Sequence, residues 1–563
     1  MITDTGRSER VPSAVAATTV ARRAAAWRLR RPIAIGGREL LLWTLPALLA
    51  AVYLIVLAVD FSQVITSINL YGDAVIAPVL GKLIGQAPAG SHVVLGHHAY
   101  YEEFLFLRAT AGLSFYRQLW EVAPLIWTLV GVGLLAWSAR SSLGGFAALL
   151  TASAVVCFGV LGRSSFFTFD WHGLTVFHTI LVGCALVWLA PRADRIRWPT
   201  VAALGVALGL VSALPMASDV LFVFWALIPM LTAAVAIAWR SEGRARWTPI
   251  AFAAITAIVS LLAGAEIAHI LRAGGVTATT PPDTFVSSAA MVVNNIEVLF
   301  EGLMALGGGY FFGMPVNLVG LLAFASGILI VAAIVFGLIE VRRMAAVYRR
   351  PATGSIPATK LAYVAFWASS LVIQAVVFVV TGIPKFNTGS SRYALAGYVA
   401  VMALFPLLAR RGSRWRVAIT AGVCVFALSS IVQLARQPFA AFGRYPTPSV
   451  AARVLNFARA YHVRYGYAGY WDAPDLTWLT RFHLKIYPIE SNCGPYGVCP
   501  TAPARIDTWY VPKPRTRSLL IADSAVTGVA SIDPRLGSPI ATTRIGTLTL
   551  AVYPFDIASK FAG

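Results

Sequence analysis

Charge is what this chain has least of. Only 12% of its 563 residues are Asp, Glu, Lys or Arg, against 58% hydrophobic, and its mean hydropathy is +0.73. That balance excludes an ordinary soluble globule and implies a polytopic membrane protein. Acidic residues are scarcer than basic ones, 24 against 45, for a net charge of +21. No charge-dense arm with interleaved aromatics occurs, so no nucleic-acid partner is expected; the basic residues fall in loops between apolar runs, where topology accounts for them. Cysteine is also scarce, with five in all. A disulfide-rich scaffold is excluded, and zinc lacks ligands at suitable spacing. Cys157, Cys184 and Cys424 lie in apolar runs and read as small filler. Ionisable residues are almost missing from the middle of those runs, which argues against a conduction path. Neither a nucleotide-binding motif nor an inverted repeat is evident, so no nucleotide cofactor is expected.

What is present is a succession of apolar runs near the roughly 20 residues that cross a bilayer. Eleven spans are predicted: 40–59, 119–138, 143–161, 173–190, 199–216, 220–239, 249–271, 316–339, 361–380, 394–409 and 417–434. Only Ser218 and Asp219 separate the fifth from the sixth. Alternate connecting segments hold 24 basic residues on one side and 7 on the other before the tail. The richer side contains the N-terminus, so the N-terminus is expected in the cytoplasm. Eleven crossings then place the tail, 435–563, outside. The basic leader, 1–39, is too long for a cleavable signal, and the first run is long enough to span, so an uncleaved anchor is expected. The domain reading is therefore a basic cytoplasmic segment at 1–39, a transmembrane domain at 40–434 and an extracytoplasmic C-terminal domain at 435–563.

That tail reads as a small α+β domain. VAARVLNFARAYH is expected as a helix with Val450, Val454, Phe457 and Ala458 on one face. SLLIAD and RIGTLTLAVYPF are expected as strands. YGYAGYWDAPDLTW is rich in aromatics, which stack on sugars, fill a small core or sit at the headgroup boundary. In a tail outside the cytoplasm Cys493 and Cys499 are expected to form a disulfide.

The outer segments are unequal. The first, 60–118, is long and carries Asp60, Asp73, Lys82, His92, His97, His98, Glu102, Glu103 and Arg108. A second, 272–315, follows the seventh span. The first reads as two surface helices around a Gly/Pro break, with Pro78 in the first turn of one and Asp73 at or just before its start. Asp73 there is either an N-cap or a reactive carboxylate.

This arrangement resembles the GT-C class of integral-membrane glycosyltransferases, such as protein O-mannosyltransferases, aminoarabinose transferases of lipid A and mycobacterial arabinosyltransferases. The resemblance covers the whole chain in architecture and the DA-x-x-A stretch at Asp73 in sequence. The Asp-Glu pair of the mannosyltransferases is absent, since Ala74 follows Asp73. The resemblance implies a polyprenyl-phosphate sugar donor, a cell-envelope glycan, glycolipid or protein as acceptor, a bacterial plasma-membrane location among membrane lipids, and Asp73 as base.

The residues offer that chemistry independently. An acceptor hydroxyl is a poor nucleophile and gains from a carboxylate that takes its proton. A phosphate leaving group gains from positive charge or a metal. Outer cations are few, so Lys385 and Arg392 in GIPKFNTGSSRY, and Arg163 before SSFFTFDWHG, are the candidates for donor phosphate. They are also placed to anchor headgroups or close ion pairs. Asp170 and His172, with Asp73, offer oxygen and imidazole ligands to a divalent metal such as Mg or Mn, or contact substrate directly. Glu102, Glu103 and His97 are candidates to meet the acceptor. Asn294, Asn295 and Glu297 are candidates for sugar hydroxyls, in a stretch whose periodicity also fits a plain amphipathic helix. The competing functions are a transporter or flippase of lipid-linked glycans and a non-catalytic envelope scaffold.

Overall fold

The computed structural model describes residues 37–59, 72–96, 100–167, 172–278, 284–348, 356–382, 388–436, 447–526 and 528–561. Asp60, His97, His98, Asp170 and Lys385 lie outside the described residues. The chain divides into two units, Met1–Leu45 and Pro46–Gly563. The described part of the first is the beginning of the helix Gly37–Val59; everything below concerns the second.

The protein is a multi-pass helical membrane protein with an α/β C-terminal region. Nine helices among the described residues are long and apolar enough to cross a membrane: Glu39–Val59, Tyr116–Leu143, Gly173–Arg192, Gly243–Ala273, Ala289–Leu306, Leu318–Ala346, Ala358–Val380, Arg392–Arg411 and Ser413–Arg436. Each of the eleven expected spans has a helix within it, but three of those helices are short: Gly145–Val156, Trp198–Val211 and Val223–Trp239. The ninth long helix, Ala289–Leu306, falls inside the expected outer segment 272–315. Val293, Ile296 and Phe300 are exposed on it, while Asn295 is buried.

The third run stops early for a packing reason. After Gly145–Val156 the chain turns at 157–159 and restarts as the short helix Val160–Phe166. Gly159 donates its N–H to Leu306 O at 2.8 Å. A Cβ on Gly159 would lie 2.0 Å from Gly308 N, so two backbones meet where no side chain fits. Gly308 itself has φ +69°, a conformation glycine adopts freely.

The first outer segment forms the helices Gly72–Ile84 and Tyr101–Thr110. Gly81 lets the first approach the Leu107–Arg108 backbone of the second. A three-stranded sheet then joins three segments far apart in sequence. β1 (Val93–Val94) lies between β2 (Val276–Thr277), parallel to it, and β6 (Arg505–Ile506), antiparallel to it. Both long outer segments and the tail thus meet at one end of the helices.

The tail folds around a six-stranded sheet ordered β5 (Val498–Pro500), β4 (Lys485–Ser491), β3 (Tyr465–Gly469), β7 (Ser518–Asp523), β9 (Leu548–Tyr553), β8 (Ala541–Ile545). β4, β3 and β7 are parallel and the outer pairings antiparallel. Every residue of the central β7 is buried, as its unbroken apolar run requires. RIGTLTLAVYPF is a hairpin rather than one strand: it turns at Gly546, φ +65°, so Ile545 pairs with Leu548. The helix Pro448–Ala460 starts with Thr447 accepting the Val450 N–H and Pro448 in its first turn. It buries Ala451, Val454 and Ala458. Cys493 and Cys499 are joined by a disulfide, with Cα atoms 5.6 Å apart. The tail docks through Trp478, whose ring centroid lies 4.7 Å from that of Trp120 and 5.0 Å from the Arg117 guanidinium.

Two buried carboxyls at the ends of parallel strands make this domain pH-sensitive. Burial pushes Asp472 up to about 7, and the nearby Asp523 carboxylate adds to the shift. An unfolded Asp titrates near 4. The folded domain therefore loses stability as pH rises from about 4 to about 7, by roughly 4 kcal/mol at most, and no further above that. The thermal midpoint of the full chain in detergent should be lower at pH 8 than at pH 5. Asp472→Asn should remove most of the difference; an unchanged pH dependence in that variant contradicts the assignment.

Candidate functional site

At the same end of the bundle, ionisable side chains gather from four separated stretches of sequence. The helix Gly173–Leu189 provides Thr175 and His178, with His172 at its N-terminal boundary in the left-handed conformation, φ 60°. The break after the short helix Ala213–Ser218 provides Asp219 in extended backbone. The surface helix Tyr101–Thr110 provides Glu102. The 3-10 turn Thr388–Ala394 provides Arg392 and Tyr393.

Asp219 organises one half of the cluster. His172 Nδ1 lies 2.5 Å from Asp219 Oδ2, with the two side chains only 3% and 10% exposed. Thr175 Oγ1 donates to the same oxygen at 2.9 Å, and the Leu221 N–H donates to Oδ1 at 2.9 Å. An ionised carboxylate only accepts, so this pairing puts the imidazole proton on Nδ1. A π-helical turn at Val223–Leu227 brings the Trp225 ring to 5.8 Å from His172, between centroids.

Glu102 organises the other half. Its Oε1 lies 2.8 Å from His178 Nε2, and its backbone N–H donates to Ser218 Oγ at 2.9 Å. The surface helix is therefore fastened to the same break that carries Asp219. Asp73 is the second residue of Gly72–Ile84, the helix packed against this one; its side chain lies outside the described residues.

Arg392 closes the cluster. Its guanidinium sits 5.2 Å from the Tyr393 ring centroid, and Nη2 donates to the Tyr393 hydroxyl at 3.3 Å. The Tyr393 ring is 5.4 Å from His172. Gln374 Nε2 donates to Tyr393 O, which fixes the turn against the helix Ala358–Val380. A cation, two imidazoles and two carboxylates thus face one another beside helices that are otherwise apolar. Such a group orients polar substrate and handles protons.

Other expected site residues lie elsewhere. Arg163 is fully buried, and its Nη1 donates to Phe158 O at 3.4 Å, the carbonyl that also accepts from the Tyr53 hydroxyl. That corrects its expected position in an exposed outer loop: the tight packing at Gly159 draws the short helix inward. Asn295 is also buried. Its Nδ2 donates to Thr381 O at 2.9 Å and Val379 O at 3.1 Å, satisfying carbonyls at the end of the helix Ala358–Val380. This work inside the fold, not a sugar hydroxyl, accounts for the amide. Asn294 and Glu297 are exposed on the same helix, and Glu103 is buried. Among the described residues no three or more His, Cys, Asp or Glu side chains are placed to hold a metal ion.

Asp219, His178, Thr175 and Ser218 were not among the residues expected to act. Asp219 read only as the separator of two spans. A lone acidic residue in the shortest outer connection was the available signal.

No family model matches the chain, and no curated protein matches it. Among solved structures it is similar to the oligosaccharyltransferase of Archaeoglobus fulgidus. The apo form gives 13% identity over 78% of this chain and 64% of that one, at a TM-score of 0.45. The same enzyme in complex with an inhibitory peptide and a dolichol-phosphate gives 12% identity over 80% and 64%, at 0.46. Its complex with zinc and sulfate gives 13% over 78% and 62%, at 0.44. The chain thus spans a little under two thirds of the length of the archaeal enzyme.

Proposed function

We propose that this chain is a membrane glycosyltransferase of GT-C architecture. It moves a sugar from a polyprenyl-phosphate-linked donor to a cell-envelope acceptor at the outer face of a bacterial plasma membrane, with its N-terminus cytoplasmic and its tail outside. The observation that carries this reading is the gathering of Arg392, His172, Asp219, Glu102 and His178 where the first outer segment meets the ends of the helices.

In this reading Asp73 is the base. It takes the proton of the acceptor hydroxyl as that oxygen bonds to the anomeric carbon. The bond from that carbon to the donor phosphate oxygen breaks, and the polyprenyl phosphate leaves with the bonding pair. Attack opposite the leaving group inverts the anomeric centre. Arg392 and Lys385 neutralise the departing phosphate, where charge-assisted hydrogen bonds are strongest. The Asp219–His172 and Glu102–His178 pairs hold the walls of the site and fix imidazole tautomers. Asp73, Asp170 and His172 would hold a divalent metal, which when bound supplies charge neutralisation at the phosphate. An imidazole whose Nδ1 is engaged by a carboxylate is the form that ligates through Nε2.

Replacing Arg392 with Ala should weaken apparent donor affinity by about tenfold or more while leaving acceptor affinity nearly unchanged. Steady-state kinetics with each substrate varied in turn reads this. An unchanged donor affinity removes Arg392 from the phosphate site. A second reading, a transporter of lipid-linked glycans, draws on the same buried histidine–carboxylate pairs, because chains of such groups also relay protons in transporters.

A further inference from the structure

A second polar cleft lies where the surface helix Gly72–Ile84 meets the sheet of the tail. It encloses about 420 Å³ and is lined by Leu83, Gln86, Lys485, Tyr487, Trp509 and Lys513, among others. That volume is within the range of small-molecule sites and larger than a lone inorganic ion needs. One wall is aromatic: Tyr487 and Trp509 stack with centroids 4.9 Å apart and planes 18° from parallel. The other feature is a pair of ammonium groups.

Neither ammonium is neutralised by a carboxylate in direct contact. Lys485 Nζ donates to Gln86 Oε1 at 2.8 Å, which uses one of its three protons. Lys513 Nζ lies 3.9 Å from the Tyr465 ring centroid and 5.1 Å from that of Tyr487. Asp556 is nearby, but its oxygens accept from the Tyr467 hydroxyl at 2.7 Å, the Lys513 N–H at 2.8 Å and the Ala558 N–H at 3.1 Å. Burial holds the Lys513 ammonium below the usual lysine range; Asp556 opposes that, and Lys485 adds to it. Two like charges thus share one partly buried cleft, an arrangement that an anion relieves.

The geometry points to a binding subsite for an anionic saccharide in the cleft between Gln86, Lys485, Lys513 and the Tyr487–Trp509 wall. The aromatic wall suits the apolar face of a sugar ring, Gln86 and the lysines suit its hydroxyls, and the two ammonium groups suit a carboxylate or phosphate substituent. Leu83 stands ten residues along the same helix from Asp73, about 15 Å at 1.5 Å per residue. The subsite rests on the transferase reading only in being assigned to the acceptor glycan; the binding itself does not depend on turnover.

The test is equilibrium binding to the full-length protein in detergent, with three probes: a galacturonic acid trisaccharide, a neutral galactose trisaccharide and inorganic phosphate. The galacturonic acid trisaccharide should bind more tightly than either of the others. Lys485→Gln and Lys513→Gln should each weaken it by about tenfold, with the neutral trisaccharide little changed. Unchanged binding in the double variant overturns the subsite. So does phosphate binding as tightly as the acidic trisaccharide, or displacement of that trisaccharide by phosphatidylglycerol vesicles, which assigns the lysines to lipid. Because no step of the assay needs transfer, an inactive Asp73→Asn variant that still binds the trisaccharide separates failure of catalysis from failure of this site.

Discussion

Asp73→Asn should fold, bind donor and transfer sugar 10²–10⁴-fold more slowly than the parent, the range that loss of a general base typically costs. Asparagine keeps the shape and much of the hydrogen bonding but cannot take a proton from the acceptor. Asp73 opens a helix whose partner helix carries Glu102, and Glu102 is fastened to both His178 and Ser218. The residue therefore begins an element with a fixed position relative to the cluster. Turnover measured with saturating donor separates chemistry from binding. Near-normal turnover in well-folded Asp73→Asn removes the base from this position, and loss in Asp60→Asn instead moves it there.

Asp219→Ala should be damaging in two ways at once. The substitution leaves His172 Nδ1, Thr175 Oγ1 and the Leu221 N–H without their acceptor. Removing one member of a buried ion pair typically costs about 3–5 kcal/mol, because the remaining group keeps its desolvation cost without its partner. The thermal midpoint in detergent should fall clearly. Transfer should fall further than folding alone explains, because His172 loses its tautomer and its orientation. Asp219→Asn tests this second part: it keeps an oxygen for Thr175 and Leu221 but changes what His172 meets. A variant with parental stability and activity contradicts the role given to Asp219.

Hydropathy made the helical architecture legible, because a 20-residue apolar run has few structures available in a bilayer. It could not show which runs are broken. The stop after Val156 depends on backbone contact between Gly159 and Gly308, 149 positions apart in a chain read one residue at a time. The same contact turned Arg163 from an expected surface cation into a buried one. The helix Ala289–Leu306 was partly legible from its periodicity, but Asn295 takes its role from carbonyls at 379 and 381, which sequence spacing does not reveal. In the tail, strand composition identified Ser518–Asp523 correctly, whereas Gly546 converted an expected single strand into a hairpin. The site shows the same division. His172 and Glu102 stood out by residue type within outer segments, and the structure pairs each with a partner. Asp219 stood in so short a connection that nothing local marked its carboxylate as more than a turn.

The most direct measurement is made with the purified protein in proteoliposomes supplied with a radiolabelled polyprenyl-phosphate sugar and a mixed envelope acceptor fraction. The account predicts a new glycosidic product and free polyprenyl phosphate in equal amounts with the parent chain, and neither product at a comparable rate with Asp73→Asn. Movement of the intact labelled lipid across the bilayer with no new bond, at the same rate in both proteins, contradicts it.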